Sequence, residues 1–406
     1  MPALIQYLAN RGFVGAAVEA AVGTPVGATF WVPILEESLQ RDPGIILEKL
    51  LRQTRDVAFT PALGEQKIEG TVSLPLYVDQ GIGLLAAAIG VDLYQYSTTA
   101  SSSQAIGGSG IATGVGSFSI AALPSGLAVG GFLELHQTSS ANPSATNLSE
   151  IHKVASISGS GPYTIGIGSE LTRYAYSAGG SAWNAQAGPY VHALLPDQPS
   201  PATWKTLTVE KNLGGLTSLQ YAGAVVAKAA LKLTAKEAAK LTCTLMAMGD
   251  AQITGSTPSF GSSAPLALPN FAVSLYGAAD TSVATFDLEV DNGAKNYWTF
   301  TGANLPALIV PVERKVTGKF TNVVQSMAYY NNMAAGTMGP FVLTFAQGAS
   351  SLAITLPLCV ITKLGVPLKV GDLLLYDAEF QATYSATSAN SISGQLTSPA
   401  VYLPVV

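Results

Sequence analysis

Apolar and polar residues alternate with period two along most of this chain, and that alternation predicts strands. In KIEGTVSLPLYV (67–78), Ile68, Gly70, Val72, Leu74, Leu76 and Val78 form one face, and Lys67, Glu69, Thr71, Ser73, Pro75 and Tyr77 the other. Pro75 has no amide to donate, so the second half of this strand is expected at a bulge or an edge. The figure returns in ERKVTGKFT (313–321), with Val316, Gly318 and Phe320 opposite Lys315, Thr317, Lys319 and Thr321. Aligning Gly70 with Gly318 lays KIEGTVS on KVTGKFT. Each is followed by a helical segment, GIGLLAAAIG or QSMAYYNNMAAG, that ends at Gly90 or Gly336. Upstream, ILEESLQ (34–40) matches TFDLEVDNG (285–293) at a similar distance. Downstream, the strand, turn, long strand, break and strand of 203–248 match those of 340–385. The pattern predicts two diverged copies of one β-rich unit, each with a single helix.

Two stretches depart from it. TAKEAAK (234–240) has the look of a capping box from Thr234 to Glu237. Leucines nevertheless alternate on both sides of it, which predicts strand, tight connection, strand. Ser97 to about Gly116 is rich in Ser, Gly and Thr and reads as a flexible linker or extended arm. Three or four short strands with glycine turns are expected after it, over 117–186, as a small inserted β-module.

Composition adds a demand for partners. Charged residues are 11% of the 406-residue chain and hydrophobic ones 48%, against roughly 25% charged in an ordinary soluble protein. A surface this poor in charge is expected to be covered by other copies. No apolar run reaches the roughly 20 residues of a membrane helix, and MPALIQYLANRGF has neither the basic flank nor the cleavage site of a signal peptide. A net charge of −5 without a basic block argues against tight nucleic-acid binding. Cys243 shares parity with Leu241 and Leu245, a buried apolar position, and with Cys359 far away no disulfide framework or metal spacing arises.

Candidate chemistry is thin. LYVDQGIGLLAAAIG (76–90) carries a G-x-G-x-x-A between a strand and a helix. No βαβ series and no acidic residue about twenty positions on accompany it, as a dinucleotide site would need. The matching turn of the second copy has no glycines, so Gly81 and Gly83 are read as a turn that seats the helix on its sheet. His136, His152 and His192 are not at ligand spacing. GGSGI (107–111) misses the nucleophile-elbow pattern. Glu36 and Glu37 are adjacent, so on a strand they face opposite sides. Arg52 and Arg55 either pair with acids across a subunit boundary or stay solvated. No residue set meets the geometry of an active site. No enzyme activity, cofactor or metal is expected.

The ordered series resembles the tail tube proteins of long-tailed, siphovirus-type bacteriophages. It consists of Glu19 with Gly23–Thr24–Pro25, Glu37–Ser38–Leu39, Arg52 and Arg55, Gly64 through Gly70, the glycine-punctuated helix, and the later YVHALLPDQPSPATWKTLTVEKN and PVERKVTGKFT segments. The resemblance spans most of the chain except roughly 97–186. It implies two tandem tube-type β-sandwich or barrel domains, each with a flanking helix. The expected organisation is an N-terminal arm (1–25), a discontinuous first domain (26–96 and 187–260), a linker and small β-module (97–186), and a second domain (261–406). It further implies a structural virion protein, made in the host cytoplasm and located in the phage tail, whose rings stack into a hollow tube. Two domains per chain would make a three-chain ring with pseudo-sixfold symmetry. Expected partners are other copies, the tape measure, tail terminator and distal tail proteins, and double-stranded DNA in transient passage, with no membrane insertion. The arm and the 40–66 loop are candidates for ring-to-ring contacts. Asp79, Glu289 and Asp291 are candidates for the lumen, where neutral or acidic side chains favour sliding. The module is expected to decorate the outside. A tail terminator or head decoration ring is the alternative, and a surface β-adhesin a second one.

Overall fold

The structure, a computed structural model, describes residues 11–19, 21–49, 58–77, 82–97, 101–106, 110–137, 149–167, 172, 175–178, 180–185, 189–196, 206–214, 217–235, 237–261, 264–267, 270–299, 304–368 and 373–398. Arg52, Arg55, Asp79, Gly81 and the first ten residues of the expected N-terminal arm lie outside the described residues.

The chain begins with strands β1 (Phe13–Val18), β2 (Phe30–Val32), β3 (Glu36–Glu37), β4 (Gln40–Asp42), β5 (Ile45–Lys49), β6 (Ala58–Leu63) and β7 (Lys67–Pro75), then helix α1 (Ile82–Ile89) and β8 (Val91–Ser97). The insert supplies β9 (Ser101–Ala105), β10 (Ser117–Ile120), β11 (Phe132–His136), β12 (Ser149–Lys153), β13 (Ser156–Ser158), β14 (Tyr163–Gly166) and β15 (Ser181–Asn184). The main body resumes with β16 (Tyr190–Leu195), β17 (Leu207–Asn212), β18 (Ser218–Thr234), β19 (Lys240–Ala247) and β20 (Gly249–Ile253). The second half contains β21 (Phe271–Leu275), β22 (Ala278–Ala279), β23 (Val283–Asp291), β24 (Ala294–Tyr297), β25 (Leu308–Pro311), β26 (Lys315–Val323), α2 (Ala328–Ala334), β27 (Gly339–Gln347), β28 (Ser350–Gly365), β29 (Leu375–Thr383) and β30 (Ser393–Ser398). The chain is mainly β and its sheets are antiparallel. No sheet closes into a barrel among the described residues, so of the two expected forms the sandwich is the one seen.

The two halves repeat one topology in one register. Gly70 lies opposite Leu245, which lies opposite Val226, just as Gly318, Phe380 and Ile361 line up in the second half. A bulge follows at the same place in both long strands, between Val226 and Lys228 and between Ile361 and Lys363. The turn Asp42–Pro43–Gly44 is matched by Asp291–Asn292–Gly293. Gly44 and Gly293 have φ of 56° and 55°, and each donates its N–H to the aspartate two residues earlier, at 3.1 and 2.8 Å. That left-handed turn suits glycine alone.

Each long strand changes partners along its length. The first half of β18 pairs with β17 and β20, and its second half with β19 and β23. β28 likewise pairs first with β27 and β30 and then with β29. Gly223, with φ of 62°, turns β18 from one set of partners to the other. The sheets enclose one apolar cluster. Val72 and Leu74, Leu241, Cys243 and Leu245, Phe286 and Leu288, Phe320, Phe341 and Phe380 lie at its centre. Thr234 and Lys240 are joined by a tight turn in which Glu237 N–H donates to the Thr234 carbonyl at 3.1 Å, as the flanking leucines required.

The insert is larger than the three or four strands expected and has its own core. β12–β11–β15–β9 and β10–β14–β13 form two small sheets over Leu133, Leu135, Ile165 and Tyr176. Its serine-rich start is no free linker. β9 is an edge strand, and Ile106 and Ile111, 0% and 3% exposed, anchor the segment in the module core. The insert hangs from the β8–β16 hairpin, and β16 pairs with β30 of the second half.

Candidate assembly surface

The second halves of β18 and β28 belong to one continuous sheet in the order β3/β4–β7–β19–β18–β23–β26–β29–β28. One face carries the apolar residues of the core. Period-two parity puts every intervening residue on the other face, where charge and hydroxyl groups form rows across the strands. Lys363, Glu379, Lys319, Asp287, Lys232 and Lys240 are consecutive cross-strand partners. Glu379 sits 3.2 Å from Lys319 and 3.4 Å from Lys363, Glu36 3.2 Å from Lys240, and Glu289 2.7 Å from Lys228. Asp291 lies opposite both Lys228 and Lys315. Hydroxyl pairs continue the rows, Ser73–Thr242 and Ser38–Thr71 at 3.1 Å and Thr285–Thr321 at 2.7 Å.

The hydrogen bond from Lys319 and its charge hold the Glu379 carboxyl below its ordinary value, and Lys240 does the same for Glu36. Asp287 moves the other way because burial dominates over the attraction of Lys232 and Lys319. Pairs this exposed add little stability. Their consequence is electrostatic: each lysine of the face has an acid beside it or opposite it.

The sheet joins the two repeats and stops at two open edges. Inside the chain, β18 meets β23 from Lys228–Asp291 to Thr234–Thr285. Among the described residues, β3 and β4 have only β7 beside them, and β28 beyond Cys359 has only β29. The helices show the same asymmetry. α1 is buried beneath elements that include β16 and β30, whereas α2 has no buried residue. Apolar side chains also stand in water on the β5–β6 hairpin, where Ile45, Ile46, Leu47 and Leu63 are each more than half exposed, and at Leu368, Leu373 and Val312.

The residues singled out from the sequence fall elsewhere or into structural roles. Glu36 and Glu37 face opposite sides and reach different lysines, Lys240 and Lys211. Gly83 lies in a buried first turn of α1, between Ile82 and Leu84. Burial pushes the Cys243 and Cys359 thiols up to about 12. His136, His152 and His192 are all buried on β11, β12 and β16, around the junction of insert and body. There Glu134, not singled out from the sequence, pairs with His136 and accepts the Ser97 N–H at 2.8 Å. Burial drives its carboxyl above the usual range. Its signal was the acid inside FLELH, in phase with the histidine. Glu19 is 2% exposed and accepts from Gly23 N–H, Thr206 Oγ1, Thr208 Oγ1 and Gly223 N–H, which gives the Glu-to-Gly-Thr-Pro spacing a physical role. The lysines of the sheet face show in the sequence only as polar positions of KAALKL and ERKVTGKFT, and cross-strand register makes them one surface.

The family model described as phage tail tube protein matches residues 9–395 of this chain. No curated protein matches it.

Proposed function

The chain belongs to the phage tail tube protein family, and from that premise we propose that it forms the tube wall as three-chain rings stacked head to tail, through which DNA passes. One observation carries this reading: two copies of one β unit are joined edge to edge in a continuous sheet that, among the described residues, stays open at both ends. Two units per chain give six equivalent units from three chains, and a closed ring leaves no edge unpaired. The apolar face of the sheet is buried, so the polar face would line the lumen. Lysines on a DNA conduit would bind phosphates, and here the neighbouring acids quench them. Glu289 and Asp291 stand on this face among the lysines, in keeping with their reading as lumen residues. The insert hangs from β8 and β16, which pair through β30 with the first half of β28 and so lie away from the second half that carries the charged face, and that favours an outward decoration. Copies of itself and the other tail proteins are its partners, and the virion tail its location.

Negative-stain electron microscopy of the purified chain, with mass measurement of single rings, tests this. Hollow filaments built from rings of three times the 41.7 kDa chain are expected. Discrete rings that never stack would indicate a terminator or decoration role instead, and dispersed monomers at every concentration would sink the tube. Filaments that retained duplex DNA at physiological salt would refute the conduit.

A further inference from the structure

The junction between the two units inside the chain is a template for the junction between chains. We infer that β28 of one copy pairs with β3–β4 of the next in the register of the β18–β23 pairing, an inference that rests on the ring reading above. The register follows from the internal repeat. The shared bulge makes Lys363 the counterpart of Lys228, and so Leu364 of Ala229, Gly365 of Ala230 and Val366 of Leu231. On the other edge, Glu36 lies opposite Ser73 and Asp42 opposite Lys67, as Thr285 lies opposite Thr321 and Asp291 opposite Lys315 in the second half. The shared turns Asp42–Pro43–Gly44 and Asp291–Asn292–Gly293 fix the same alignment. Transferring the observed partners Lys228–Asp291, Ala229–Val290, Ala230–Glu289 and Leu231–Leu288 sets Lys363 against Asp42, Leu364 against Arg41, Gly365 against Gln40 and Val366 against Leu39.

Three features of the open edges fit a second copy of this chain. The opposed charges of Lys228 and Asp291 reappear as Lys363 and Asp42. Leu231 and Leu233 are 2% and 1% exposed within the chain, while their counterparts Val366 and Leu368 are 36% and 88% exposed; the apolar positions that the internal junction seals are left bare at the edge. Pro367 has no N–H and ends the ladder just past Val366, which keeps the pairing short. The uncovered helix α2 beside this edge, against the buried α1 beside the internal junction, marks the same missing neighbour.

A disulfide trap tests the register. Directly opposed residues of antiparallel strands have Cα atoms about 4.5–5.5 Å apart, within the roughly 4.4–6.8 Å a disulfide accepts. The native Cys243 and Cys359 are buried and do not compete. The chain carrying Gly365→Cys and Gln40→Cys is assembled, oxidised, run on a non-reducing gel and imaged from the same sample. The expected result is a reducible three-chain band that is absent with Gln40→Cys alone and weak for the offset pair Gly365→Cys with Asp42→Cys. Rings that show no link from the first pair, or link better through the offset pair, overturn the register and leave the ring standing. A wild-type chain that forms no rings removes the ring and the pairing together. If the cysteine variants do not fold, charge reversal decides. Lys363→Asp and Asp42→Lys should each block ring formation, and the two together should restore it; failure to restore overturns the pairing.

Discussion

Two glycines, Gly70 and Gly318, should refuse even a methyl group. A Cβ on Gly70 would lie 2.5 Å from the Leu39 Cα, the Leu39 nitrogen and the Ser38 carbonyl oxygen, where ordinary contact begins at 3.4 Å. All three obstacles are backbone, so no rotamer change relieves the overlap. Relief requires the two strands to part by roughly 1 Å, which lengthens the 2.9 Å bond from Ser38 N–H to the Thr71 carbonyl beyond hydrogen-bonding range. Losing one or two such bonds at about 1 kcal/mol each, with overpacking at about 1–3 kcal/mol, outweighs the roughly 0.4–1 kcal/mol by which alanine restricts the unfolded chain. The expected net loss is about 2–3 kcal/mol for Gly70→Ala. Gly318→Ala should lose at least as much, because the Asp287 carbonyl and the Phe380 ring stand closer still. Urea unfolding followed by tryptophan fluorescence reads the shift in midpoint. Gly249→Ala, with no atom within 4 Å of the added methyl, is the control and should move by less than about 0.5 kcal/mol. Wild-type midpoints for Gly70→Ala and Gly318→Ala, or a control as damaged as they are, would refute the reasoning.

Glu19→Ala leaves four donors without their acceptor in a buried site and should cost about 3 kcal/mol, read as the urea midpoint; a change under 1 kcal/mol would contradict that role. Burial works against ionisation of Asp280, but hydrogen bonds from Ser282, Tyr329 and Asn322 outweigh it and hold the carboxyl below its ordinary 3.8. Below that value the unfolded chain binds the proton first, so this stabilisation is complete above about pH 3.8 and fades as pH falls through the lower native value. Asp280→Asn should therefore lose about 1–2 kcal/mol at pH 7 and narrow its deficit in acid, and a pH-independent deficit would argue against the ionised knot. Ser97 and Tyr190 are cross-strand partners, so replacing 98–189 by an Asn-Gly turn closes the β8–β16 hairpin. The shortened chain should fold and form rings with an unaltered lumen and a smaller outer diameter by electron microscopy, and a chain that no longer folds would show the insert to be part of the body.

Much of the fold was legible because its periodicity is local. The apolar parity of 67–78 and 313–321, the glycines at matching places and the helices ending at Gly90 and Gly336 are short-range signals, and the register Gly70–Leu245 and Gly318–Phe380 agrees with the alignment they imply. What escaped depends on partners remote in sequence. Nothing in YVHALL announces that β16 lies against β30, two hundred residues away. The serine-rich segment looked free because its two anchors, Ile106 and Ile111, are isolated among small polar residues, and their partners lie far along the chain, Gly180 for Ile106 and Tyr176 for Ile111. The charged face was hidden for the same reason. Lysines four residues apart on the polar side of a strand read as ordinary solvent exposure until cross-strand register sets Lys319 between Glu379 and Asp287, and a slip of one residue would scatter the row.

The two junctions of the proposed ring are built unequally, and the difference bears on assembly. At the internal one, Asn292 donates through Nδ2 to the carbonyls of Ala88 and Val226, each at 3.0 Å, and accepts from Arg314 Nε at 2.9 Å. It ties β23 to the end of α1 and to the long strand, while Leu231 and Leu233 seal the apolar side. At the outer edge the counterpart of Asn292 is Pro43, which can donate nothing, and the counterpart of Lys232 is Pro367. Both open edges also carry charge, Glu36, Arg41 and Asp42 on one and Lys363 on the other, and β3 and β4 are only two and three residues long. Short strands, prolines and charges are the means by which sheet edges resist unplanned pairing. A chain with the strong junction inside and the guarded edges outside keeps its own two units together in dilute solution. It then needs several weak contacts at once, edge, helix α2 and the apolar hairpin, before another copy holds. Assembly built that way is steeply dependent on concentration or on a preformed ring, since no single contact suffices and a template supplies them together.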